Sequence, residues 1–131
     1  MQRTVFISAL SASLAMAAPA AAHEFLDYFD YGDVNLSARG YQTAREVVGY
    51  TAGQTYRVVV TAYLDTAEAH EFSDELALRR AQSMASELVR LGVDPARIEM
   101  RSGGTRLAKP TPDNTREPLN RRLVVDLSLG R

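Results

Sequence analysis

The 131-residue chain has no cysteine and no tryptophan. The first absence excludes disulfides, thiolate nucleophiles, thiolate metal sites and the acylated cysteine that anchors a lipoprotein. Histidine is nearly as scarce: only His23 and His70 occur, one near the N-terminus and one in a polar stretch, so neither a metal centre nor a cofactor is expected. Charge of one sign is lacking too, since 15 basic residues face 16 acidic ones. No global field therefore draws the chain to nucleic acid. Past the N-terminus, no apolar run approaches the roughly 20 residues that span a bilayer. A charged ligand must be held by local geometry.

What is present begins with a basic Arg3, an apolar stretch over residues 5–17 and the small-residue run Ala18-Pro19-Ala20-Ala21-Ala22 before His23. These are the three parts of a secretory leader. The apolar stretch is short for a span and is interrupted by Ser8, Ser11 and Ser13. Residues 1–22 are accordingly expected to be a cleaved signal peptide, which leaves no integral membrane segment, and residues 23–131 a single domain with one core.

Within that domain, Phe25, Tyr28, Phe29 and Tyr31 lack helical spacing and precede Gly32-Asp33, so residues 24–31 are expected as a short strand. A helix is expected over residues 35–51, with Ser37 as N-cap and Leu36, Tyr41, Ala44, Val47 and Val48 near one face. Residues 54–65 are rich in β-formers, and the consecutive Val58, Val59 and Val60 suggest a central strand covered on both faces. A polar loop over residues 66–71 leads to the most regular helix, residues 73–91, with Asp74 and Glu75 in its first turn and Gly92 past its end. Residues 98–101 and the alternating 121–129 complete the strands, and the 102–120 loop between them is dense in Gly, Pro and Thr. The order β-α-β-α-β-β defines an α+β fold, with a mixed four-stranded sheet and helices packed on one face.

Asp65 falls at a strand end and Arg80 near the start of the long helix, the two sides of a crevice common in such folds. At about 100° per residue, Ala77, Ala81, Met84, Ala85 and Leu88 share an arc with Arg80 on its margin, within reach of that crevice. Spacing leaves two readings open: Asp65 and Arg80 pair with each other, or they hold a zwitterion, ammonium to Asp65 and carboxylate to Arg80. Catalysis would need a tuned carboxylate pair or a histidine in a cleft, so no enzymatic activity is expected.

Several motifs in order resemble the OmpA-like (OmpA C-terminal) domain: Phe29-Asp30-Tyr31-Gly32 ahead of a helix, Asp65-Thr66-Ala67 after a strand, Leu76-Ala77-Leu78-Arg79-Arg80-Ala81 in the long helix, and Arg116-Glu117-Pro118-Leu119-Asn120-Arg121-Arg122-Leu123 before the last strand. The resemblance covers nearly all of residues 23–131. It implies a periplasmic module that binds peptidoglycan noncovalently by gripping the diaminopimelate of the stem peptide, with Asp65 and Arg80 as principal ligand residues. Arg121, Asn120, Ser73 and Asp30 are secondary candidates at matching positions, while Arg122 reads as a solvated charge. The family's Gly-His-Thr before the aspartate is here Ala62-Tyr63-Leu64, the serine of its helix motif is Ala77, and its asparagine near the helix start is Ser73. This loss of polar groups keeps an alternative in view, a degenerate domain that docks another envelope protein through a sheet edge or the 102–120 loop.

Overall fold

The sheet is organised by the strand richest in β-branched residues, β2 (Tyr56–Tyr63). In the computed structural model, which describes residues 23–129, β2 runs parallel to β3 (Ile98–Gly104) and antiparallel to β4 (Arg122–Leu129). On the far side of β4 lies β1 (His23–Tyr28), also antiparallel to it, giving the order β1-β4-β2-β3. The sheet is mixed and four-stranded, as expected. The leader reading of residues 1–22 lies outside the described residues.

Two long helices cover one face. Helix α1 (Ala38–Thr51) starts at Ser37, whose side chain accepts from Gly40 N. It packs on β1, and α3 (Glu75–Arg90) packs on β2, β3 and α1. The α3 stripe Ala77, Ala81, Met84 and Leu88 is buried against Val58, Val60, Ala62, Leu123, Val125 and Leu127 of the sheet. Alternation along β2 and β4 sends these residues to the helix side. Among the described residues, neither long helix packs on the opposite face. There Tyr63 is shielded by Arg122 and Arg106, whose guanidinium carbons lie 3.8 and 5.8 Å from its ring centroid. Arg122 is thus half-buried cover for a tyrosine, contrary to its reading as a solvated charge.

Several expected bounds move by two or three residues, and three departures have a clear local reason. The first strand ends at Tyr28 because the chain turns at 30–33, where Asp33 N donates to Asp30 O and Gly32 adopts φ +70°. Residues 66–71, read as a polar loop, form a short helix, α2 (Thr66–Glu71), capped by Asp65. Strand β3 extends to Gly104 with one extra residue, Gly103, inserted where the pairing passes from Ala62 with Ser102 to Tyr63 with Gly104. A Cβ at Gly103 would stand 2.1 Å from the Tyr63 ring, so only glycine lets the strand pass.

The fold thereby gathers four segments at the C-terminal end of β2. These are the turn after β1, the Asp65–α2 corner, the first turns of α3, and the short helical turn Pro118–Asn120 that leads into β4.

Candidate functional site

Asp65 enters the crevice by ending β2 and starting α2. Its Oδ1 accepts from Glu68 N at 2.7 Å, and its own N–H donates to Glu68 Oε1 at 3.3 Å, a reciprocal capping box. Its Oδ2 accepts from Glu117 N at 3.0 Å and from Arg121 Nη1 at 2.9 Å. Asp65 is completely buried.

Arg80 is also completely buried, although the helical arc had placed it on the margin of the apolar stripe. Its partner is not Asp65. It is Glu68, itself 0% exposed, which takes Nη1 on Oε1 at 2.9 Å and Nη2 on Oε2 in a two-point fork. Three backbone carbonyls receive the other donors: Asp33 O from Nε at 2.7 Å, Tyr63 O from Nη1 at 3.3 Å and Asp30 O from Nη2 at 3.1 Å. The guanidinium lies 4.9 Å from the Phe29 ring centroid. Asp65 and Arg80 therefore share one crevice but belong to different ion pairs, so the direct Asp65–Arg80 pair left open by spacing does not form.

Arg121 joins the pairs to the β1 end. Its Nε donates to Phe29 O at 2.9 Å, and its Nη2 has no acceptor among the described residues. Beside it opens a cavity of about 460 Å3, lined among others by Tyr28, Asp30, Asp33, Ser37 and Leu119. The Asp30 side chain is exposed at this cavity while its carbonyl serves Arg80. Asn120, fully buried, spends its amide on the backbone of Lys109, accepting from N and donating to O at 2.8 Å each. It pins the long loop shut. Ser73 is exposed between α2 and α3, where its Oγ accepts from Glu75 N at 3.3 Å.

Aromatic and charged groups rim the crevice. The Arg116 guanidinium lies 3.6 Å from the Tyr31 ring centroid, and the Tyr31 hydroxyl donates to Glu71 Oε1 at 2.6 Å. That bond to a carboxylate pushes the Tyr31 hydroxyl above its ordinary pKa. Glu117 is held below the usual carboxylate range, first by Leu119 N–H and then by Lys109. Among the described residues no group of three His, Cys, Asp or Glu is placed to hold a metal ion.

The residue that motif reading missed is Glu68. A signal for it was present, because Asp65 followed three residues later by a glutamate is a capping-box pattern.

A small α+β domain with this strand order and a charged crevice at the end of its central strand defines a class, and the comparisons place the chain within it. The sequence model of the OmpA family matches residues 28–121, and the chain belongs to that family. An "Outer membrane protein" of Gluconacetobacter diazotrophicus is 38% identical over 122 residues, covering 84% of this chain and 31% of that protein. The chain thus spans about a third of that relative's length. The OmpA-like domain of FopA1 from Francisella tularensis superposes with a TM-score of 0.66 at 19% identity, over 82% of this chain and 73% of that one. The peptidoglycan-associated lipoprotein from Burkholderia pseudomallei gives 0.67 at 20% identity, over 79% and 89%. At these identities the two structures establish the fold, and the α+β architecture is that of an OmpA-like domain. Among the described residues no helix is long and apolar enough to cross a membrane.

Proposed function

We propose that the protein binds peptidoglycan noncovalently in the periplasm, turning the crevice at the end of β2 toward the diaminopimelate of the stem peptide. One observation carries this reading. The frame around Arg80 holds a carboxylate between two guanidinium donors and two backbone N–H groups, the complement of an amino acid's own carboxylate. Family membership and the peptidoglycan association in the name of the Burkholderia neighbour support it, and the outer-membrane designation of the Gluconacetobacter relative supports an envelope location.

In this reading Arg80 meets the ligand carboxylate and Asp65 fixes the wall of the crevice. The exposed Asp30 side chain offers a partner for the ammonium, and Arg121 offers its remaining donors. Ser73 stays at the surface between α2 and α3, bonded to Glu75 N, and Asn120 acts indirectly by holding the long loop. Binding is the whole function, with no reaction after it and no cofactor. Export by the residue 1–22 leader delivers the domain to the wall.

The test is sedimentation of the purified protein with isolated sacculi, with and without excess meso-diaminopimelate. The reading predicts co-sedimentation that the free amino acid abolishes. A protein left in the supernatant, or pelleted regardless of diaminopimelate, contradicts it.

One observation favours a second reading, docking of another envelope protein: every donor of Arg80 is already engaged. A stable copurifying envelope protein, together with no affinity for sacculi, would decide for it.

A further inference from the structure

A guanidinium has five N–H donors, and Arg80 uses all five. The division between them is informative. Three go to backbone carbonyls, of Asp30, Asp33 and Tyr63, on two separate segments. With Phe29 beside its plane, the guanidinium is fixed by these groups whether or not a carboxylate is present. The remaining two donors point the same way and form a fork.

Two further donors converge on the same place. Gly32 N lies 2.8 Å from Glu68 Oε2, and Asp65 N lies 3.3 Å from Glu68 Oε1. Four N–H groups from three parts of the chain thus surround one carboxylate. Glu68 itself reaches the frame as a side chain from the six-residue helix α2, whereas the rest of the frame is backbone or a clamped guanidinium. Glu68 is not needed to position Arg80, yet it fills the one place where Arg80 could receive an external anion.

We propose that Glu68 is an internal occupant of the carboxylate site, standing in for the ligand's carboxylate, and that a wall ligand binds by displacing it. The inference rests on the peptidoglycan reading for the identity of the ligand, but not for the chemistry of the cradle. It makes Glu68 the residue that sets affinity and selectivity. A simple carboxylate offers the cradle nothing that Glu68 does not already supply, and Glu68 is tethered beside it at high effective concentration. Only a ligand with further contacts, such as an amino-acid terminus whose ammonium also finds a partner, competes. The competent fraction of the free protein is correspondingly small, and apparent affinity is reduced by that fraction.

The test uses Glu68→Ala, Glu68→Gln and the double variant Glu68→Ala/Arg80→Leu, probed with acetate, meso-diaminopimelate and sacculi. Thermal melting of wild type should be indifferent to acetate. Glu68→Ala should melt lower, recover as millimolar acetate or meso-diaminopimelate is added, and bind meso-diaminopimelate at least about tenfold more tightly than wild type. Glu68→Gln, which keeps the shape and loses the charge, should show an intermediate gain. The double variant should lose every carboxylate response. If Glu68→Ala does not fold alone, refolding by dilution into acetate supports the proposal, and failure in all carboxylates overturns it. Acetate that leaves the Glu68→Ala melt unmoved also overturns it, as does equal binding of meso-diaminopimelate by wild type and Glu68→Ala; that last result leaves the wall reading standing. Acetate rescue without any affinity for diaminopimelate or sacculi, in wild type or variant, sustains the occupied cradle and removes the wall as its target.

Discussion

Two guanidinium–carboxylate pairs stand side by side at the end of β2, and they differ in how far water reaches them. Arg80 and Glu68 are both 0% exposed, and every donor of the arginine is spent. In the other pair, Asp65 is sealed but the Arg121 side chain is 10% exposed and borders an open cavity. Burial makes the first pair strong and also makes it costly to break, because a stranded charge has no solvent to turn to. The second pair can lose its cation and leave Asp65 with two backbone N–H donors. In the proposed binding, the first pair is a clamp that the ligand opens and the second a border to which it adds.

Removing each cation in turn separates the two pairs. Arg80→Leu strands Glu68 and should cost about 3–5 kcal/mol. In a domain of this size, each kcal/mol lowers the melting temperature by roughly 4–8 °C. Arg121→Ala should cost less, about 1–3 kcal/mol, the loss of hydrogen bonds to a charged group that keeps its other partners. Denaturant titration of both variants checks the order, and equal losses would erase the distinction.

A third buried carboxylate sharpens it at the small end. Asp27 is 3% exposed, and its Oδ2 has no partner among the described residues, facing instead the bare Cα of Gly40. Burial pushes its carboxyl above the ordinary value of 3.8, against smaller opposing effects of Tyr28 N–H and Arg39. The folded protein then holds a proton that the unfolded chain has released. Its stabilising effect is complete below the unfolded value and is lost as pH rises through the folded one. Asp27→Asn should therefore gain on wild type between pH 4 and pH 8, by about 1 kcal/mol or less. Melting curves across that range read the difference, and parallel curves for the two proteins would contradict it.

Much of the fold could be read in the sequence because its signals are local. The valine run of β2, the Ser37 cap of α1 and the glycine after α3 each act within a few residues. Helix α2 was missed because its polar composition resembles a loop, although the Asp65 and Glu68 spacing marks a helix start. The crevice was located from Asp65 and Arg80, but its pairing was not. Arg121 reaches Asp65 across 56 residues and Arg80 reaches Glu68 across 12, from separate elements. Asp30 and Asp33 serve Arg80 through their carbonyls, which no side-chain pattern can reveal.

In the proposed function, the frame around Arg80 is where a wall carboxylate binds. Titrating isotopically labelled wild-type protein with a diaminopimelate-containing stem peptide, and following Arg80 Nε–H with the amides of Gly32 and Asp65 by NMR, tests it directly. These three resonances should move together and saturate with the ligand. Saturable shifts at a sheet edge or in the 102–120 loop, with these three unmoved, would contradict it.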